Sequence, residues 1–77
     1  MHVGHFIILF KPHVSLPEVK EYAKQILHQG GEITHEFDFI KGFSAALTDQ
    51  SLQTLQSLRD NDIVDSIEPD QRVTTQV

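Results

Sequence analysis

The chain has 77 residues, no cysteine and a formal net charge of −5 with its histidines neutral. That length confines it to one domain, which on folding buries roughly 60% of the surface its unfolded chain exposes. Without cysteine there is no disulfide framework, thiolate metal site or cysteine nucleophile, and six scattered basic residues against eleven acids oppose binding to a phosphate backbone.

No window approaches the ~18 apolar residues of a membrane span. The apolar run 6–10 is too short for a signal-peptide core and lacks its basic flank and small-residue cleavage site. A cytoplasmic setting is the default expectation.

Residues 5–10 read His-Phe-Ile-Ile-Leu-Phe, a near-continuous apolar run that fits a central strand. Lys11-Pro12 ends it, because proline offers no ladder donor. Ser15, Pro17 and Glu18 then start a helix, with Ser15 as cap and Glu18 three residues on as the other half of a capping box. Val19, Tyr22, Ala23, Ile26 and Leu27 recur on one helical face. Gly30-Gly31 stops the helix, with Gly30 expected in the left-handed cap conformation.

Ile33, His35, Phe37 and Phe39 alternate with polar residues, which predicts a half-buried strand with those four side chains inward. Ile40-Lys41-Gly42 reads as a turn in which Gly42 supplies the permissive backbone. Phe43, Ala45 and Leu47 alternate in the partner strand, and the small Ser44, Ala45 and Ala46 imply close packing over it. Thr48 caps a second helix, Asp49 suits its positive end, and Leu52, Leu55 and Leu58 mark its buried stripe. After the turn Asp60-Asn61-Asp62, Ile63, Val64 and Ile67 form a last strand whose imperfect alternation predicts a bulge or twist near Asp65. The order strand, helix, strand, strand, helix, strand is that of an α+β, ferredoxin-like two-layer sandwich, βαββαβ, with both helices on one face of a four-stranded antiparallel sheet.

Residues 66–77 hold two carboxylates, Glu68 and Asp70, split by Pro69, and then a short run rich in β-branched Val73, Thr74, Thr75 and Val77. Such residues suit extended backbone. Two readings stand side by side: a frayed terminus, and a strand that pairs with a partner.

Catalytic and cofactor chemistry finds little footing. None of the five histidines makes a helical i, i+4 pair that would focus two imidazoles on one ion, and His35 shares the apolar parity of its strand, so it reads as packed. There is no Gly-x-Ser-x-Gly elbow, and the carboxylate pairs Glu32/Glu36 and Glu68/Asp70 read as solvated face charges. Gly30-Gly31 follows a helix instead of opening one, so it is no phosphate cradle. The aromatic and basic signature of an RNA-binding sheet is missing. The chain therefore reads as a non-enzyme without cofactor or metal.

Several stretches together resemble the inhibitor I9 family, the propeptides of subtilisin-like serine proteases and their free-standing relatives. They are 6–10; Gly30, Gly31, Ile33, His35, Glu36 and Phe37; 41–45; Leu47-Thr48; and Val64, Ile67, Glu68 and Asp70. The start at Met1 and the stop soon after Asp70 favour a free-standing inhibitor over a propeptide, as an expectation. The resemblance implies an inhibitory domain over 1–70, a cleft-binding tail over 71–77, and a subtilisin-like protease of the proteinase B or proteinase K type as partner, a vacuolar enzyme among them. It implies no nucleic-acid ligand or membrane insertion, and a monomer when free.

The family's mode implies that the open sheet face lies on two protease helices whose N-termini Glu68 and Asp70 cap, where unpaired N–H groups and positive partial charge favour acids. It also implies that Thr74, Thr75, Gln76 and Val77 fill the non-primed subsites as an added strand, leaving a product-like complex. Family propeptides usually end in a larger or less branched residue than Val77, so either Val77 or Gln76 takes the first subsite. Two alternatives use the same fold: a chaperone-like assistant in protease folding, and a ligand-binding or regulatory module that dimerises through its sheet.

Overall fold

The computed structural model describes residues 4–37 and 39–70. Its elements are β1 (Gly4–Phe10), α1 (Leu16–His28), β2 (Glu32–Glu36), β3 (Gly42–Leu47), α2 (Asp49–Asp60) and β4 (Val64–Pro69). The strands form one antiparallel sheet in the order β2-β3-β1-β4, so β1, expected at the centre, lies there beside β3. This is the α+β ferredoxin-like arrangement that the element order predicts.

Alternation along the strands decides which face the helices cover. Phe6, Ile8 and Phe10 of β1 share a face with Phe43, Ala45 and Leu47 of β3 and with Val64 and Ile67 of β4. Val19, Ala23 and Ile26 of α1 and Leu55 of α2 close over them into one core. Phe43 is fully buried, with its ring 5.6 Å from that of Phe10, and Phe10 in turn stacks on Tyr22 at 5.8 Å. Burying a side chain of that size contributes roughly 1.5–3 kcal/mol.

Both helix starts follow local chemistry. The Ser15 N–H donates to Glu18 Oε1 at 2.9 Å and the Glu18 N–H to Ser15 Oγ at 3.2 Å, a closed capping box. The Ser15 N–H first, and then the Ser15 side chain, hold the Glu18 carboxyl below its ordinary pKa. At α2, Thr48 caps as expected, but its reciprocal partner is Ser51: the Ser51 N–H donates to Thr48 Oγ1 at 3.2 Å and the Thr48 N–H to Ser51 Oγ at 2.8 Å. Ser51 is fully buried, a role its sequence position does not advertise.

Both helices end in the same way. Gly30 has φ +90°, the left-handed cap expected of it, and the Gly30 and Gly31 N–H groups donate to Leu27 and Ile26 carbonyls. After α2 the equivalent left-handed position is filled by Asp62 at φ 66°, with Asp62 and Ile63 donating to Arg59 and Leu58 carbonyls. Lys11 Nζ lies 3.4 Å from Asp62 and 3.3 Å from Asp65, and those carboxylates, Asp65 first, raise the lysine pKa.

Three expectations are corrected or refined. β2 ends at Glu36, and its register against β3 shifts between Ile33 and His35. The extra residue, Thr34, is a bulge that reverses the facing of everything after it. Glu36 therefore pairs with Phe43 on the helix side and reaches Lys20 of α1 at 3.5 Å, while His35, read as packed, pairs with Ser44 and is exposed. Phe39, read as inward, is 99% exposed. Gly42 is needed for close approach, not for a left-handed backbone: a Cβ there would sit 2.3 Å from the Ile8 carbonyl oxygen. The bulge expected near Asp65 is present, because Leu9 pairs with Ser66 and Phe10 with Val64, leaving Asp65 as the extra residue.

Candidate functional site

With both helices on one face, the other face of the sheet carries the side chains of opposite parity. On β1 these are His5, Ile7 and Leu9, opposite Ala46, Ser44 and Gly42 of β3. On β4 they are Ser66, beside Leu9, and Glu68, beside Ile7. On β2 they are Glu32, opposite Ala46, and His35, opposite Ser44. The centre of this face is small and low: Ser44 and Ala46 are buried although no helix covers them, and Ile7 and Leu9 are half-buried. Acids and imidazoles stand around that apolar strip.

β4 is an edge strand, which tolerates Pro69 because one side of its backbone has no ladder to feed. The pairing continues one residue past it: the Asp70 N–H donates to the His5 carbonyl at 2.9 Å. The backbone of Asp70 is thus held by the sheet itself, two residues from Glu68.

The two acids differ in setting. Glu68 is exposed at the rim of the open face, whereas Asp70 is 2% exposed. Thr74, Thr75, Gln76 and Val77 lie outside the described residues. The Nδ1 of His5 is buried on this face with no hydrogen-bond partner among the described residues.

Among the described residues no group of three His, Asp or Glu side chains is placed to hold a metal ion, and no helix is long and apolar enough to cross a membrane. The arrangement offers a flat face, an exposed carboxylate on its edge, and a fixed point from which the chain leaves. Those are the parts of a docking surface.

Residues 5–76 match the family Peptidase inhibitor I9. The chain belongs to the peptidase inhibitor I9 family. It is 44% identical over 75 residues to serine proteinase inhibitor IA-1 of Pleurotus ostreatus, covering 95% of this chain and 97% of that protein. It is 32% identical over 71 residues to protease B inhibitor 2 of Saccharomyces cerevisiae, covering 92% and 95%. Protease B inhibitor 1 of the same yeast is similar at 31% over 71 residues, with the same coverage.

Sequence reasoning singled out Glu68 and Asp70, because two acids around a proline stand out, and the structure places Glu68 exposed on the open face and Asp70 buried where the β4 pairing ends. The same reasoning missed the exposure of His35 and Phe39, since a bulge that leaves no composition signal turns His35 outward and the strand ends at Glu36, before Phe39.

Proposed function

We propose that this chain inhibits a subtilisin-class serine protease, holding the enzyme against its open sheet face and laying residues 71–77 into the substrate cleft. The observation that carries the reading is the junction at Asp70. The last strand pairs with β1 up to that residue, at the rim of an uncovered face and beside the exposed Glu68. Family membership and relatives named for inhibition of serine proteinases and of protease B support it.

The chemistry follows from the parts. Glu68 and Asp70 face helix N-termini of the enzyme, where each carboxylate contributes roughly 0.3–1 kcal/mol, about 2 where partly buried. Asp70 comes into play as the partner's N–H groups replace its present surroundings. From Asp70 the seven residues to Val77 span about 23 Å at ~3.3 Å each, enough to run along four subsites. There Thr74, Thr75, Gln76 and Val77 add a strand to the edge of the cleft, with backbone bonds giving affinity and alternate side chains entering pockets. Carrying the tail on a folded domain makes its binding effectively intramolecular once the face has docked. Stability is part of the function, because a protease cleaves only the opened chain.

The test is a titration of a subtilisin-class protease with the purified protein. Stoichiometric, reversible loss of activity is the expected result; full activity at micromolar excess overturns the reading.

A further inference from the structure

β2 hands the chain to a hairpin whose apolar side chains are in solvent. His35 lies on the open face opposite Ser44, and the Phe37 ring meets it edge-on at 5.3 Å. Phe39 is 99% exposed and Ile40 54%. These four residues line one surface groove.

The base of the hairpin is fixed. The Phe10 N–H donates to the Lys41 carbonyl at 2.8 Å, the Phe37 N–H to the Gly42 carbonyl at 3.2 Å, and Lys41 Nζ to the Pro12 carbonyl at 2.6 Å. The described side chains at its tip leave an aromatic ring in water on a tied support, three residues past the end of β2.

Its place in the sheet says what covers it. The hairpin joins β2 and β3 at the end of the sheet where Leu9 meets Gly42, while the chain leaves β4 at the other end, beside His5, and on the opposite edge. The two points are diagonal corners of the open face. Three strand spacings of about 4.8 Å and four residues of about 3.3 Å separate them by about 20 Å. An interface of ordinary size, about 800 Å² per partner, is about 30 Å across if round. The strip between the corners, about 14 by 13 Å, is much smaller than that. A partner footprint of that ordinary width, seated on the face and held at the Asp70 corner, has the span to reach the hairpin as well. A second copy fits poorly, because it would bring the same exposed Glu32 and Glu68 to the rim in a chain of net charge −5.

We propose that the β2–β3 hairpin is a second anchor on the same protease, with Phe39 entering an apolar pocket of the enzyme at the corner diagonal to the tail. This rests on the function proposed above and adds to it a contact that stops the enzyme from pivoting about the tail. Buried aromatic anchors of this kind carry a disproportionate share of interface energy.

The experiment compares wild-type protein with Phe39→Ser in inhibition and surface plasmon resonance against one subtilisin-class protease, with urea unfolding and sedimentation of each free protein. The expected result is a Ki raised at least tenfold through faster dissociation, with the association rate and the unfolding midpoint unchanged. If wild-type inhibits and Phe39→Ser inhibits equally well, the anchor is refuted while the parent reading stands. If wild-type leaves the protease active, the parent reading falls and the anchor with it. If wild-type sediments as a dimer and Phe39→Ser as a monomer, the hairpin binds a second copy and the proposal is overturned.

Discussion

The hydroxyl of Thr48 donates to the carbonyl oxygen of Gln29 at 2.9 Å, so one side chain both starts α2 and ties it to the end of α1. Its oxygen also accepts from the Ser51 N–H, and the Ser51 hydroxyl donates back to the Thr48 carbonyl at 3.0 Å. With each hydroxyl proton committed elsewhere, the 3.1 Å Thr48–Ser51 oxygen contact is packing more than a further bond. Thr48→Val keeps the shape and removes the cap and the inter-helix bond. It costs about 2 kcal/mol in urea unfolding, and Thr48→Ser recovers most of it. Because cleavage tracks the opened population, the valine variant is degraded by a bound protease about thirtyfold faster.

Asp62 occupies the left-handed position that ends α2, at φ 66°, where a residue with a Cβ is strained. Its carboxylate offsets part of that strain through Lys11, and its carbonyl oxygen lies 2.8 Å from His13 Nε2. Asp62→Ala loses the ion pair and keeps the strain; Asp62→Gly loses the pair and relieves it. The glycine variant is the more stable of the two by about 1 kcal/mol, a difference of about 4–8 °C in Tm for a domain of this size. Equal melting temperatures for the two variants would contradict this account of the cap.

Glu18 gives stability a pH dependence with a defined sign. Its folded carboxyl titrates below the ordinary value of 4.5 because the Ser15 backbone and then the Ser15 side chain favour the charged form. Its contribution is therefore fully present above pH 4.5 and is lost as pH falls through the folded value. Glu18→Gln, which does not titrate, is less stable than wild-type at pH 7, and the gap narrows below pH 4.5. Denaturation midpoints at pH 3 and pH 7 for both proteins give the comparison.

Removing residues 74–77 leaves every described strand and both helices intact. The circular dichroism spectrum is accordingly unchanged and tight inhibition is lost. A trimmed protein that inhibits as well as the full chain would rule out cleft occupation by the tail.

Glu68 is exposed and makes none of the ion pairs among the described residues, so its replacement isolates binding from folding. Glu68→Gln raises Ki about two- to fivefold, equivalent to 0.3–1 kcal/mol, and the difference shrinks at high salt. An effect of the same size at 1 M salt would point away from a charge at a helix N-terminus.

The sequence by itself determined what short-range chemistry decides. The Ser15 and Thr48 caps, the stop at Gly30, the end of β1 before Pro12, the bulge at Asp65 and the six-element order are set by residues within a few positions of each other, and all appear where the pattern places them. The tertiary structure alone decided which way β2 faces. Thr34 has no distinguishing neighbour, yet the extra residue there turns His35 to the open face and sends Glu36 to Lys20, while the end of the strand at Glu36 leaves Phe39 in a solvent-exposed bend. Strand parity has a period of two, so a one-residue slip against β3 exchanges the faces of every residue beyond it, and that pairing is made by a strand too distant for local pattern to read. The requirement for glycine at Gly42 is of the same kind, since it comes from the carbonyl of Ile8 on a neighbouring strand and not from any turn of its own.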